Sequence, residues 1–207
     1  MNRIRDRLNL LPLRQAEAYW SALLNADRLP KRSQIDPRGL GHILKFVFIL
    51  ERSNFQQAKF RLAGSHLTKL AGEEVQGMPI TSFFELAARD EVASIVDEVL
   101  ITPAVGELDL ISLGREKNTN LDAQMLLLPI DGQENQDRLI LGVLATKGPI
   151  GKAPYRFSIE TKIVRKIAGI SDRFVGDAQF TKEFSEDPSV FEHHPKRHLR
   201  LIASRDD

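Results

Sequence analysis

Few side chains in this sequence are placed to do chemistry. His193, His194 and His198 crowd the C-terminal end. Adjacent histidines point apart on a helix or a strand, and no carboxylate completes a ligand spacing, so a solvated tail explains them better than a metal centre. Asp36, Glu51 and Asp109 are carboxylates with no visible partner for acid–base work. The sequence holds no P-loop, no nucleophile elbow, no HExxH pair and no kinase signature. The expectation is a protein that is not an enzyme. What remains is chemistry of binding: His66 and Arg61 stand beside short apolar strands, where each would supply a polar group to hold a small organic molecule. Glu51 and Arg61 also suit a structural cross-strand ion pair, which fixes register more than it stabilises.

The elements that must position these residues are legible from periodicity. Between Leu13 and Leu24, apolar Ala16, Tyr19, Trp20, Leu23 and Leu24 recur at helical spacing, and Pro30 ends any continuation. Asp36-Pro37 is an N-cap followed by proline in the first turn, opening a short helix to about Lys45. Phe46 to Glu51 and Lys59 to Gly64 are predicted strands joined by a polar turn. Alternation sets Phe46, Phe48 and Leu50 on one face of the first, and Phe60 and Leu62 on one face of the second. Ser65 opens a two-turn helix that Gly72 closes, and Ser82 to Glu85 reads as a capping box for a longer helix bearing Val92, Ile95, Val96, Val99 and Leu100.

Three more strands follow, over about Val105 to Leu113, Leu121 to Ile130 and Arg138 to Thr146. The last two are apolar on both faces, with Met125 and Leu127 on one side and Leu126 and Leu128 on the other. A sheet open to water on one side would alternate more cleanly, so its outer face must be covered, and the Tyr19/Trp20/Leu23 helix is the candidate cover. KGPIGKAP, from Lys147 to Pro154, reads as a linker. Ile159, Ile163 and Ile167 then suggest a weak amphipathic helix, followed by a polar tail.

Composition narrows the class. The 207 residues are 42% hydrophobic and 28% charged with a net charge of +1, ordinary for a globular protein and without a global pull toward nucleic acid. The basic residues near Lys196 to Arg200 lack interleaved aromatics, so nucleic acid is an unfavoured partner. The chain has no cysteine, which excludes disulfides, thiolate metal sites and cysteinyl flavin chemistry. Haem needs an axial histidine on a pocket wall, and the helix from Glu85 to Leu100 has none, so no cofactor is expected. With no signal-peptide core and no membrane-length apolar run, a cytoplasmic location is expected.

Several blocks together resemble a bacterial PAS-like family typical of alphaproteobacteria, long catalogued as a domain of unknown function. They are Tyr19-Trp20 with Leu23, Leu29-Pro30 with Arg32, Ile35-Asp36-Pro37, Phe48-Ile49-Leu50-Glu51, Phe60-Arg61-Leu62-Ala63-Gly64, Leu70-Ala71-Gly72 with Gly77, Leu126 to Ile130, and Leu141-Gly142. The resemblance covers about residues 17 to 146. It implies an α+β PAS-like fold: a five-stranded antiparallel sheet, helices on one face and the N-terminal helix on the other. It also implies self-association and a signalling or scaffolding role, with no agreed ligand and no catalytic residues.

The chain then divides into a basic arm (1–12), a PAS-like domain (13–146) and a linker, weak helix and tail (147–207). Phe48, Leu50, Phe60, Leu62, His66, Val96, Met125 and Leu127 are the candidate pocket lining. Tyr19, Trp20 and Leu23 are the candidate homodimer contact. Two readings of function stay open. In one, a small apolar ligand enters the pocket and shifts contacts with a signalling partner; in the other, a packed core makes the fold a constitutive adaptor.

Overall fold

In the computed structural model the described residues are 11–170, apart from 26–27, 53–56, 114–119, 133–137, 149 and 169. Most of the basic arm and all of the polar tail, with its histidines and basic cluster, lie outside them. Helix α1 spans Leu11–Leu23, and a 3-10 segment covers Pro37–Phe46. Strands β1 (Val47–Glu51) and β2 (Lys59–Ala63) follow, then helix α2 (Ser65–Ala71) and helix α3 (Arg89–Ile101). Strands β3 (Ala104–Ser112), β4 (Leu121–Asp131), β5 (Arg138–Lys147) and β6 (Ser158–Lys166) complete the order. All strands form one antiparallel sheet in the order β2-β1-β5-β4-β3-β6.

The sixth strand corrects two expectations. Residues around Ile159 and Ile163 form a strand, not a weak helix, and the folded unit runs past 146 instead of ending there. Ile159, Thr161, Ile163 and Val164 are β-branched and lose less as a strand than on a helix. β6 pairs along β3 from Ala104–Lys166 to Ile111–Ser158, and Arg165 secures it. The Arg165 guanidinium meets Glu107 of β3 and, at 2.7 Å, Glu17 of α1. Both carboxylates hold the Arg165 guanidinium above its usual pKa.

The two apolar faces of β4 and β5 are both covered, as the pattern requires. On the inner face Phe48, Leu50, Phe60, Met125, Leu127, Ile140 and Leu144 pack with Val92, Val96 and Val99 of α3. On the outer face Val47, Ile49, Leu126, Leu128, Leu141 and Val143 pack against Leu13, Ala16 and Trp20 of α1 and Leu40 and Ile43 of the 3-10 segment. Pro129 falls within β4, yet the β3 ladder stops at Gly106–Leu127, so among the described residues no strand on that side needs its missing N–H. The Trp20 indole Nε1–H uses the bare edge instead, donating to the Pro129 carbonyl at 2.9 Å. Two residues further, the Asp131 N–H donates to the Pro30 carbonyl, also at 2.9 Å.

Caps follow local chemistry. Asp36 Oδ1 accepts from the Arg38 N–H at 2.9 Å, with Pro37 in the first turn. Gly72 closes α2 at φ 78°, a left-handed value that suits glycine. The predicted capping box does not start the long helix: Ser82 lies in a 3-10 turn (Ile80–Phe83), and α3 opens only at Arg89. Phe83 and Phe84 are both buried, and burying adjacent rings breaks the helical phase there. At the other end of α3, Arg138 donates to the carbonyls of Leu100 and Ile101 at 2.6 and 2.7 Å, a cation at a helix C-terminus.

Candidate functional site

The residues expected to line one pocket are divided between two faces. Phe48, Leu50, Phe60, Val96, Met125 and Leu127 are each no more than 1% exposed and belong to one packed inner cluster. The Phe60 ring stands edge-on to Phe48 at 5.3 Å and tilts against Phe83 at 5.2 Å, filling the space beneath β1 and β2. A recess of about 110 Å³ remains between Arg52, Thr81, Val96 and Asp97, with Arg52 and Asp97 joined as an ion pair.

Leu62 does not share the Phe60 face. The β1–β2 register passes from Ile49–Leu62 to Leu50–Phe60, leaving Arg61 as one extra residue. This β-bulge reverses the phase, so Leu62 turns outward with Ile49 while Phe60 turns inward with Leu50. Plain alternation cannot register that slip. Arg61 projects to the exterior and meets Glu51 at 3.2 Å. Both side chains are largely exposed, so the pair contributes little to stability.

Turned outward, Leu62 becomes one wall of an open groove of about 400 Å³. Val47, Ile49 and Leu141 form its floor, and Leu40 and Leu44 of the 3-10 segment form the facing wall. Leu44 and Leu62 remain 44% and 48% exposed, unusual for leucines flanking one depression. Arg32 and Lys45 are the charged residues in the lining, and Ser65 adds a hydroxyl. The groove exists because the 3-10 segment crosses the sheet close to the β2–α2 junction. A side chain at Gly64 would meet the Leu44 and Lys45 carbonyls at 2.5 and 2.3 Å, so only glycine permits that approach.

His66 lies apart from this groove, buried to 9% exposure on α2. Its Nε2 is 3.3 Å from Thr146 Oγ1 and its ring meets Phe46 edge-on at 4.7 Å. Burial, then the nearby charges of Lys45 and Lys69, lowers its pKa from 6.5 to about 4. The unfolded chain therefore binds the His66 proton more readily than the folded one, so the contribution is intact above pH 6.5 and is lost as pH falls toward 4. Thermal melts between pH 7.5 and 4.5 should show Tm falling on acidification through that window. His66→Gln should flatten that part of the curve; an unchanged slope would remove His66 as its cause.

The expected interface residues are engaged within the chain. Trp20 is 3% exposed. The half-buried Tyr19 holds α1 to the 3-10 segment, its hydroxyl accepting from the Asp36 N–H at 2.8 Å. Leu23 packs partly against the outer cluster. Among the described residues no group of three or more histidines, aspartates or glutamates could hold a metal ion. No described helix is long and apolar enough to cross a membrane.

One antiparallel sheet with short helices packed on one face and a helix on the other defines a single-sheet α+β fold. The family is established by comparison: the profile described as a PAS domain matches residues 9–145, two thirds of the chain, and the protein belongs to the PAS domain family. PAS domains in general serve signalling and sensing and are not catalysts. No curated protein matches the chain.

Proposed function

We propose that the chain is a non-catalytic regulatory module of a cytoplasmic signalling system, and that its exchangeable surface is the outer groove, not the inner compartment. The observation supporting this is the contrast between two faces of one sheet. The inner face is filled by the chain's own rings and branched side chains, whereas the outer face keeps an apolar depression open between Leu44 and Leu62. A close-packed interior must be forced apart to admit a guest; an open groove of this size is ready for one.

A signal entering here has a route outward. The 3-10 segment that walls the groove is tied through Asp36 and Tyr19 to α1, so an occupant preferring one placement of the segment biases α1 as well. The output is contact with a protein partner, a second copy of the chain included. Such a contact would draw on Tyr19, Leu23 and the exposed side of α1, because Trp20 is committed to Pro129.

Anilinonaphthalene sulfonate, an apolar dye with an anionic group, tests the groove directly. The native protein should bind it saturably, and Leu62→Glu should weaken binding by about tenfold or more while leaving the melting temperature near that of the parent. Equal dye binding by parent and variant would sink the groove reading.

A further inference from the structure

The geometry points to a single-chain fatty carboxylate as the occupant of the groove, with its tail on Ile49, Leu62 and Leu141 and its head toward Arg32 and Lys45. This rests on the groove reading above and adds the chemical class of the guest. Three observations converge on it.

The lining is apolar along its floor and both walls, which demands a hydrocarbon body. Its charged members are both basic, and the acids close by are committed elsewhere. Asp36 accepts from the Arg38 N–H at 2.9 Å, and Glu51 faces Arg61 at 3.2 Å. Arg32 Nη1 donates only a long 3.4 Å bond to the Ile35 carbonyl of its own turn, a contact that a carboxylate would improve on. Lys45 Nζ lies 4.9 Å from the Phe46 ring centroid, a weak tether that leaves it available to an anion.

Size selects among amphiphiles. A volume of about 400 Å³ is near the lower end for small-molecule sites, enough for one chain and not for a two-chain lipid.

The test is competition against anilinonaphthalene sulfonate, with calorimetry, using octanoate, decanoate, dodecanoate and dodecyl alcohol below their aggregation limits. The carboxylates should compete at one site, each added methylene tightening binding about fourfold until the groove is full. Arg32→Gln combined with Lys45→Gln should weaken dodecanoate about fivefold and leave the alcohol unchanged. Equal affinity for acid and alcohol, or indifference to the double substitution, would overturn the anionic class while leaving the groove intact. If no fatty chain competes although Leu62→Glu still weakens dye binding, the occupant is a different molecule and the proposal falls. If Leu62→Glu leaves dye binding unchanged, the groove reading has failed and takes this one with it.

Discussion

Trp20→Ala should lower the free energy of unfolding by about 3–5 kcal/mol, the range for emptying a buried tryptophan site. Two losses combine at this position. The indole leaves a void between α1 and the outer sheet face, where Leu13 and Ala16 are fixed by their own packing and cannot close it. The Pro129 carbonyl also loses its donor, on the side of β4 that β3 no longer covers. Trp20→Phe separates the two effects: it keeps most of the ring volume, removes the hydrogen bond, and should cost about 1–2 kcal/mol of the total. Urea unfolding followed by far-ultraviolet circular dichroism reads both variants. A Trp20→Ala protein within about 1 kcal/mol of the parent would mean that α1 does not pack on the sheet as described.

Gly142→Val should be as damaging, for the opposite reason. Gly142 sits opposite Phe48 in the β1–β5 ladder, and the Phe48 ring lies across it. A Cβ built on Gly142 would come within 2.1 Å of two ring carbons, so even alanine forces the ring to move. The ring has nowhere to go: it is 1% exposed and braced edge-on by Phe60. Overpacking of this kind costs about 1–3 kcal/mol for alanine and more for valine. Phe48→Leu should recover part of the loss in the Gly142→Ala background, although each substitution alone destabilises. Additive effects in that double-mutant cycle would show that ring and glycine do not compete for one space.

How far the sequence carried depends on which residues repeat with a simple period. Strands β3, β4 and β5, the faces of Met125/Leu127 and Leu126/Leu128, and the packing of α1 on the outer face all follow from alternation and helical spacing. What escaped lies where the period breaks. Arg61 is a single inserted residue in β2, invisible to a pattern with period two, and it transfers Leu62 from the inner face to the groove. Ile159, Ile163 and Ile167 satisfy a helical spacing, while Ile159, Thr161 and Ile163 satisfy a strand spacing equally well. The β-branched side chains in SIETKIV were the signal that would have decided it. The groove was not legible at all. It arises from the approach of a 3-10 segment to Gly64, and no periodicity encodes a distance between backbones.

The sixth strand bears on how this molecule should be cut for laboratory work. The family pattern ends at residue 145, and a fragment trimmed there would keep every element by which the family is recognised. It would also strip the partner from β3 along eight residue pairs and remove Phe157, a fully buried ring of the inner cluster. The fragment would present a long bare strand, the geometry that recruits neighbouring chains into aggregates. The recognisable boundary and the mechanical boundary of this domain are different places, and Arg165, reaching from the added strand to α1, marks the second.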